Sequence, residues 1–409
     1  TQFQAQAYKE LLPADGPVRC KVLGLEDDAT TNQASRVQEF MNYQIMEKMD
    51  EYVPEFDQML FYLALAGSTF KKIYYDEIAQ RAVSKFIPAE DLVVPYYAAD
   101  LTECERITHV LKMGENEVLK KQEAGFYRDV ELKPTQPDKT QIQKKYEEIE
   151  GITPTADRQY TFSILEMHVD LDLEEFEIQD APKRVKIPYI VTIDEGSQEV
   201  LSIYRNYDMM DDTKKRKEYF VQFKFLPGLG FYGLGLTHMI GGLSKSATQT
   251  LRQLIDAGTL ANLPAGFKSR GIRIRDDEQP YQPGEFRDVD APGGNIKDQF
   301  QILPFKEPSG TLFQLLGFVV GAGQKFASIT DQAVGNDAQN RAVGTTVALL
   351  ERGSRVMSAI HKRCYSSMRK EFRLLAKVFQ TYLPPVYPYA VYGADRMVKV
   401  KDFDDRVDV

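Results

Sequence analysis

Apolar residues recur at intervals of three and four through Leu243, Ala247, Leu251, Leu254, Ile255 and Leu260. This spacing predicts a helix from about Leu236 that stops at Leu263-Pro264-Ala265-Gly266. The pattern then changes character between Gly271 and Ser309. Gly271-Ile272-Arg273-Ile274-Arg275 alternates as a short strand, and turns are marked at Gln282-Pro283-Gly284, Ala291-Pro292-Gly293-Gly294 and Glu307-Pro308-Ser309-Gly310. Helical spacing returns at Leu312, Leu315, Leu316, Val319, Val320 and Phe326, up to about Thr330. A polar, turn-forming stretch from Asp331 to Gly344 follows. From Thr345 to about Tyr382, a single stripe of Val356, Ile360, Cys364, Met368, Phe372, Leu375 and Phe379 predicts a helix with no internal proline, roughly 55 Å long.

Upstream, residues 1–30 are rich in turn formers and are expected to be irregular. A cap-like Thr31-Asn32 pair precedes an amphipathic helix carrying Val37, Phe40, Met41, Ile45, Met46 and Met49. A second helix opens at Val53-Pro54, with proline in its tolerated first turn, and runs through Phe56, Met59, Leu60 and Leu63 to Ala66-Gly67. Both read as core-facing helices. Short strands are expected at Lys71–Tyr75, Ala82–Ile87, Asp91–Pro95 and Arg106–Lys112, then a polar helix at Glu115–Glu123 and a solvated, charged segment at Lys133–Ile152. Tyr160 to Phe225 reads as β, with a hairpin where Arg184–Ile193 and Glu199–Tyr204 flank Asp194-Glu195-Gly196-Ser197. Long helices with antiparallel strands give an α+β expectation.

Composition adds bounds. A length of 409 residues allows two or three domains, and 43% hydrophobic with 27% charged residues is ordinary for a globular chain. The net charge of −9 argues against a general nucleic-acid binder. Three distant cysteines, Cys20, Cys104 and Cys364, argue against a disulfide framework and for a reducing compartment. The best apolar run, Met59–Ala66, is too short for a membrane span, and no signal peptide is evident. The chain opens without Met and stops in mid-pattern, so it reads as a fragment of a longer polypeptide.

No motif demands catalysis. Gly228-Leu-Gly230-Phe-Tyr-Gly233 matches the dinucleotide fingerprint after a strand and before a helix. The surrounding strands nevertheless look like antiparallel hairpins, and Asp256 lies within a helix pattern, so a flexible hinge into the helix is the better reading. His168, Asp170 and Asp172 share one strand face but lack further ligands for a metal. HExxH, GxSxG and Walker A sequences are all missing. The expectation is a non-enzyme without cofactor or metal. Lys214-Lys-Arg-Lys217 reads as a solvated turn, and Gly317-xxx-Gly321 permits close approach of a neighbour. Charge is uneven: Lys245, Arg252, Lys268, Arg270, Arg273 and Arg275 face only Asp256. Arg352, Arg355, Lys362, Arg363, Arg369, Lys370, Arg373 and Lys377 likewise outnumber Glu351 and Glu371, which points to phosphate contact, acidic neighbours or a solvated face.

The order helix, turn-rich insert, helix, Gly/Asn loop, long helix resembles the portal proteins of tailed bacteriophages, particularly short-tailed ones. The wording is also similar in Leu254-Ile-Asp-Ala-Gly-Thr-Leu-Ala-Asn-Leu-Pro-Ala-Gly-Phe267, Pro283-Gly-Glu-Phe-Arg-Asp-Val289, Ala327-Ser-Ile-Thr-Asp331 and Val343-Gly-Thr-Thr-Val-Ala-Leu-Leu-Glu-Arg352, over roughly residues 225–380. The resemblance implies a portal fold: a β-rich wing over residues 1–235, stem helices at 236–263 and 310–330, and a small α/β clip at 264–309. It further implies a tunnel loop at 331–344, a long wing helix at 345–382, and a return to the wing at 383–409 without the crown. It implies a ring, usually of twelve copies, at one capsid vertex of the virion, assembled in the host cytoplasm without a membrane. Double-stranded DNA would enter and leave through the ring non-specifically. The implied protein partners are the terminase large subunit, a head-to-tail adaptor, and the major capsid and scaffolding proteins. A conduit must hold DNA weakly, since each neutralised phosphate adds salt-sensitive affinity. Lys245, Arg252 and Lys325 are the expected channel lining, with Gly335, Asn336, Asp337, Asn340, Arg341 and Gly344 in the tunnel loop. Arg273, Arg275, Gln282, Glu285 and Arg287 are expected to meet partners at the clip. The competing expectations are a nucleotide-dependent enzyme built on Gly228–Gly233 and another ring-forming tail adaptor.

Overall fold

The structure is a computed structural model. It describes residues 1–134, 145, 148, 151, 161–173, 186–262, 266–268, 273–274, 289–290, 300–302, 307–326, 343–391, 394–404 and 407–409. The chain divides into two compact units, Thr1–Leu236 with Ala348–Val409, and Thr237–Val347. Helices combine with antiparallel sheets, so the fold is α+β.

The first element, α1 (Gln2–Leu11), occupies a stretch expected to be irregular. Phe3, Ala7 and Leu11 lie on one helical face and are buried. The Glu10 carboxylate meets His361, and Tyr365 donates its hydroxyl to the Glu10 carbonyl at 2.9 Å. The turn formers that hid this helix, Pro13, Gly16 and Gly24, all lie beyond its end, the two glycines at φ of +93° and +98°. After β1 (Lys21–Val22), α2 (Asp28–Tyr43) starts ahead of the expected Thr31 because Asp27 caps it. Asp27 Oδ1 accepts from Thr30 N at 2.7 Å while Thr30 Oγ1 accepts from Asp27 N at 3.0 Å. A π-helical turn, Gln44–Lys48, leads towards α3 (Tyr52–Ala66), which ends on left-handed Gly67.

A hairpin of β2 (Ser68–Asp76) and β3 (Arg81–Pro88) follows. The next strands are β4 (Leu92–Val93), β5 (Arg106–Gly114), β6 (Thr161–Leu171), β7 (Ile187–Asp194) and β8 (Val200–Arg205). They form an antiparallel five-stranded sheet in chain order, with α4 (Glu115–Glu123) after β5. The expected Asp194–Ser197 hairpin joins β7 to β8, and Asp194 Oδ2 accepts from Ser197 N and Oγ at 2.8 and 2.7 Å. Strand β9 (Phe220–Lys224) returns to the free edge of β2, giving the order β3-β2-β9.

In the second unit, α5 (Leu236–Asn262) and α6 (Gly310–Phe326) bracket four small strands. Strand β10 (Gly266–Lys268) pairs with β13 (Phe300–Ile302), and β11 (Arg273–Ile274) pairs with β12 (Val289–Asp290). Helix α7 (Val343–Tyr382) then runs for 40 residues, roughly 60 Å. The chain ends in a β14 (Val386–Val391) and β15 (Ala394–Lys399) hairpin and in β16 (Val407–Asp408), which pairs with β1.

The stripe foreseen on α7 is the spine of the main core: Ile360, Cys364, Met368, Phe372, Leu375 and Phe379 are all buried. They pack with Phe40, Phe56, Leu63 and Phe223. Within this apolar contact sits an ion pair with no local sequence signal. Lys71 Nζ on β2 lies 2.9 Å from Glu371 Oε1 on α7, and both side chains are fully buried. Ser84 Oγ donates to the same oxygen at 2.7 Å, and the ammonium stands 3.8 Å from the Tyr52 ring centroid. Burial pulls the Lys71 pKa down, with Glu371 opposing it. Burial, reinforced by the Glu371 carboxylate, pushes the Tyr52 phenol well up.

Candidate functional site

The second unit holds the residues expected to do the work, and its helices are unusually bare. Not one residue of the 27 in α5 is buried. Ile240, Leu243, Ala247, Thr250, Leu254 and Ala261 are half-buried and form one stripe. Lys245, Gln249, Arg252 and Asp256 lie on the opposite face and are exposed. Lys245 and Arg252 are therefore exposed cations two turns apart on that face. Four hydroxyls on this helix turn back onto its own carbonyls. Ser246 donates to Gly242 at 3.0 Å, and Thr248, Thr250 and Thr259 donate to Ser244, Ser246 and Ile255 at 2.9 Å.

Helix α6 is half-buried along Leu312, Leu316 and Val319. Phe313 and Val320 project from one flank, 69% and 46% exposed, and Leu315 and Phe318 from the other, 47% and 75% exposed. At 100° per residue the two sets stand roughly half a turn apart. A shallow apolar groove of about 470 Å³ is lined by Leu251, Leu254, Ile255, Pro308, Phe313 and Leu316. A β-carbon placed at Gly317 or Gly321 meets nothing within 4 Å, so the small-residue face is open within the subunit.

Other expected residues are placed only in part. Lys325 falls in the last turn of α6 and Arg273 on β11 opposite Asp290, with side chains outside the described residues. Gly344 belongs to the first turn of α7 instead of a loop. Arg275, Gln282, Glu285, Arg287, Gly335, Asn336, Asp337, Asn340 and Arg341 lie outside the described residues, as does most of the charged 133–152 segment.

Several readings are corrected by packing. The glycine motif lies in a loop closed by a Leu226–Leu234 bridge just before α5. A β-carbon at Gly233 would stand 2.5 Å from the Gly67 carbonyl oxygen and 2.6 Å from that of Leu226. The glycine is required by backbone crossing backbone, and β9 pairs antiparallel with β2, so there is no βαβ cradle here. Among the described residues, three of the α7 bases are paired with acids inside the first unit and a fourth is tied to a carbonyl. Arg363 donates to the Phe225 carbonyl, Lys370 pairs with Glu218 at 3.1 Å, and Arg369 and Arg373 converge on Asp408. Arg216, expected in a solvated turn, donates instead to the carbonyls of Leu101, Thr102 and Cys104.

The His168 triplet is also reassigned. His168 is buried and its Nε2 donates to Glu166 Oε1 at 2.7 Å, while Lys72 Nζ reaches both Glu166 oxygens at 2.6 Å. Burial works against the Glu166 carboxylate, but Lys72 and then His168 outweigh it and hold its pKa well below the usual range. Burial lowers His168. It also lowers neighbouring His109, to about 3, with Lys72 adding to the effect. Asp172 is exposed just past the end of β6. Among the described residues no group of three His, Cys, Asp or Glu side chains could hold a metal, and no helix is long and apolar enough to cross a membrane. The Lys72–Glu166 pair joins residues 94 apart in the chain and has no sequence signature.

Comparison of the chain with protein-family models gives no match, and comparison with curated proteins gives none either.

Proposed function

We propose that this chain is the subunit of a ring-shaped DNA conduit of the portal type, without enzymatic activity of its own. In this reading it adopts the portal fold and sits at one vertex of a phage capsid. DNA passes through the bore during packaging and ejection, and the insert between α5 and α6 docks the terminase large subunit and then a head-to-tail adaptor. Lys245, Arg252 and Lys325 supply weak, sequence-independent phosphate contacts, and residues 331–344 supply the loop that narrows around the duplex.

One observation carries the reading: α6 bears large exposed apolar side chains on two opposite flanks. A helix with a single partner needs one apolar face; two opposed faces call for a neighbour on each side. Identical copies that each offer a left and a right surface associate head to tail and form a ring when the rotation closes. The bare polar face of α5, with two cations, suits a surface that meets a polyanion without gripping it.

The test is the native mass. Twelve copies of a 46.6 kDa chain give an assembly on the order of 0.5 MDa. Phe318→Glu places a charge on one flank and is expected to reduce the assembly to monomers, with the circular dichroism spectrum unchanged. A wild-type chain that stays monomeric at every concentration overturns the reading.

A further inference from the structure

The loop between β4 and β5 is built as a platform. Its inward residues Leu92, Leu101 and Cys104 are buried with Phe70, Ile87 and Phe231 in a small core of their own. Its carbonyls at Leu101, Thr102 and Cys104 are tied down by Arg216. Asp100 Oδ1 accepts from Thr102 N and Glu103 N at 2.8 and 2.9 Å, and Ala98 N closes a turn onto the Pro95 carbonyl at 3.0 Å.

The outward side of this ordered loop is apolar and aromatic. Tyr96 is fully exposed, Tyr97 is 72% and Val93 45% exposed. Tyr232 extends the same rim, with its hydroxyl 3.4 Å from the Leu92 carbonyl. Between Pro88 and Glu105 stand five acids, Glu90, Asp91, Asp100, Glu103 and Glu105; bases beside them include Arg106, next in the chain, and Arg216, whose guanidinium donates to the loop's carbonyls. Tyrosines held on an ordered loop offer large contact area at low entropic cost, and they are over-represented where interfaces concentrate their energy.

We propose that Val93, Tyr96 and Tyr97, framed by Asp91, Asp100, Glu103 and Glu105, form a docking surface for a protein segment rich in basic and apolar residues. The rim is acidic, so the occupant is a basic and apolar segment of another protein. A second copy, repelled on its net charge of −9 although it carries basic stretches such as Lys268 to Arg275, is the alternative that the native mass tests. The inference does not rest on ring formation.

The test uses the full chain and fluorescein-labelled peptides of roughly 18 residues, amphipathic lysine–leucine, lysine–glycine and glutamate–leucine, read by anisotropy. The lysine–leucine peptide is expected to bind saturably. Its affinity should fall about tenfold with Tyr96→Ser/Tyr97→Ser. In Glu103→Gln/Glu105→Gln the affinity should fall less, with a flatter salt dependence. The lysine–glycine and glutamate–leucine peptides should not bind. Undiminished binding to the tyrosine variant, or no saturable binding to the wild type, overturns the proposal. So does loss of the wild-type native mass in the tyrosine variant, because a second copy would then be the occupant. The ring reading fails separately, through the mass of the unaltered chain.

Discussion

Replacing Lys71 with Met leaves the Glu371 carboxylate fully buried opposite a thioether, with the Ser84 hydroxyl still donating to it and the Tyr52 phenol beside it. Removing one partner of a buried ion pair costs about 3–5 kcal/mol, because the other charge stays desolvated. The Lys71 ammonium also stacks on Tyr52 at 3.8 Å, and a desolvated cation–π contact is worth about 2 kcal/mol. Lys71→Met should therefore fall at the upper end of that range, and Glu371→Leu within it. Against a domain stability of about 5–15 kcal/mol, either change brings the unit close to unfolding. The double variant Lys71→Met/Glu371→Leu is expected to recover most of the loss, since apolar replacement of a whole buried pair is often neutral. A residue of about 1–3 kcal/mol remains for the Ser84 hydroxyl, which loses its acceptor. Urea denaturation followed by far-ultraviolet circular dichroism gives the four corners of the cycle. Single losses below about 1 kcal/mol, or a double variant equal to the sum of the singles within about 0.5 kcal/mol, would refute the reasoning.

Two further outcomes follow from geometry and protonation. Gly233→Ala forces a β-carbon against the Gly67 and Leu226 carbonyls and should cost about 1–3 kcal/mol, seen as a lower melting temperature. Gly230→Ala meets nothing within 4 Å and should lie within about 0.5 kcal/mol of wild type. His109 is held neutral with a pKa near 3, against 6.5 in the unfolded chain. The unfolded state therefore binds more protons between those values, so stability is fully present above pH 6.5 and falls as pH drops towards 3. The expected slope approaches about 1.4 kcal/mol per pH unit, and denaturation midpoints of His109→Gln should show a shallower dependence there.

The helices were legible where one apolar face recurs without interruption. The stripe from Ile360 to Phe379 named its own core, and Glu115–Glu123 stands where its composition placed it. The first helix was missed because the glycines and proline after it dominated a short window, although Phe3, Ala7 and Leu11 keep a four-residue period. The start of α2 was misjudged because the cap is Asp27, four residues before the Thr31 that resembled one. Interactions between distant segments were out of reach. Lys71 and Glu371 are 300 residues apart, and Arg216 reaches carbonyls more than 110 residues upstream. Charge counts also misled on α7, where acids from other elements, such as Glu218 and Asp408, neutralise bases that looked free. At the candidate site, Lys245 and Arg252 were named from the local excess of bases and the family resemblance, and the structure adds that both are exposed, whereas the opposed apolar flanks of α6 needed the observed exposure of each residue.

The inward-turned hydroxyls of α5 have a mechanical meaning. Ser246, Thr248, Thr250 and Thr259 spend their protons on the helix itself, so they have none to lend to anything passing alongside. In the conduit proposed above, the donors left on the exposed face would be the Lys245 and Arg252 cations with the Gln249 amide between them.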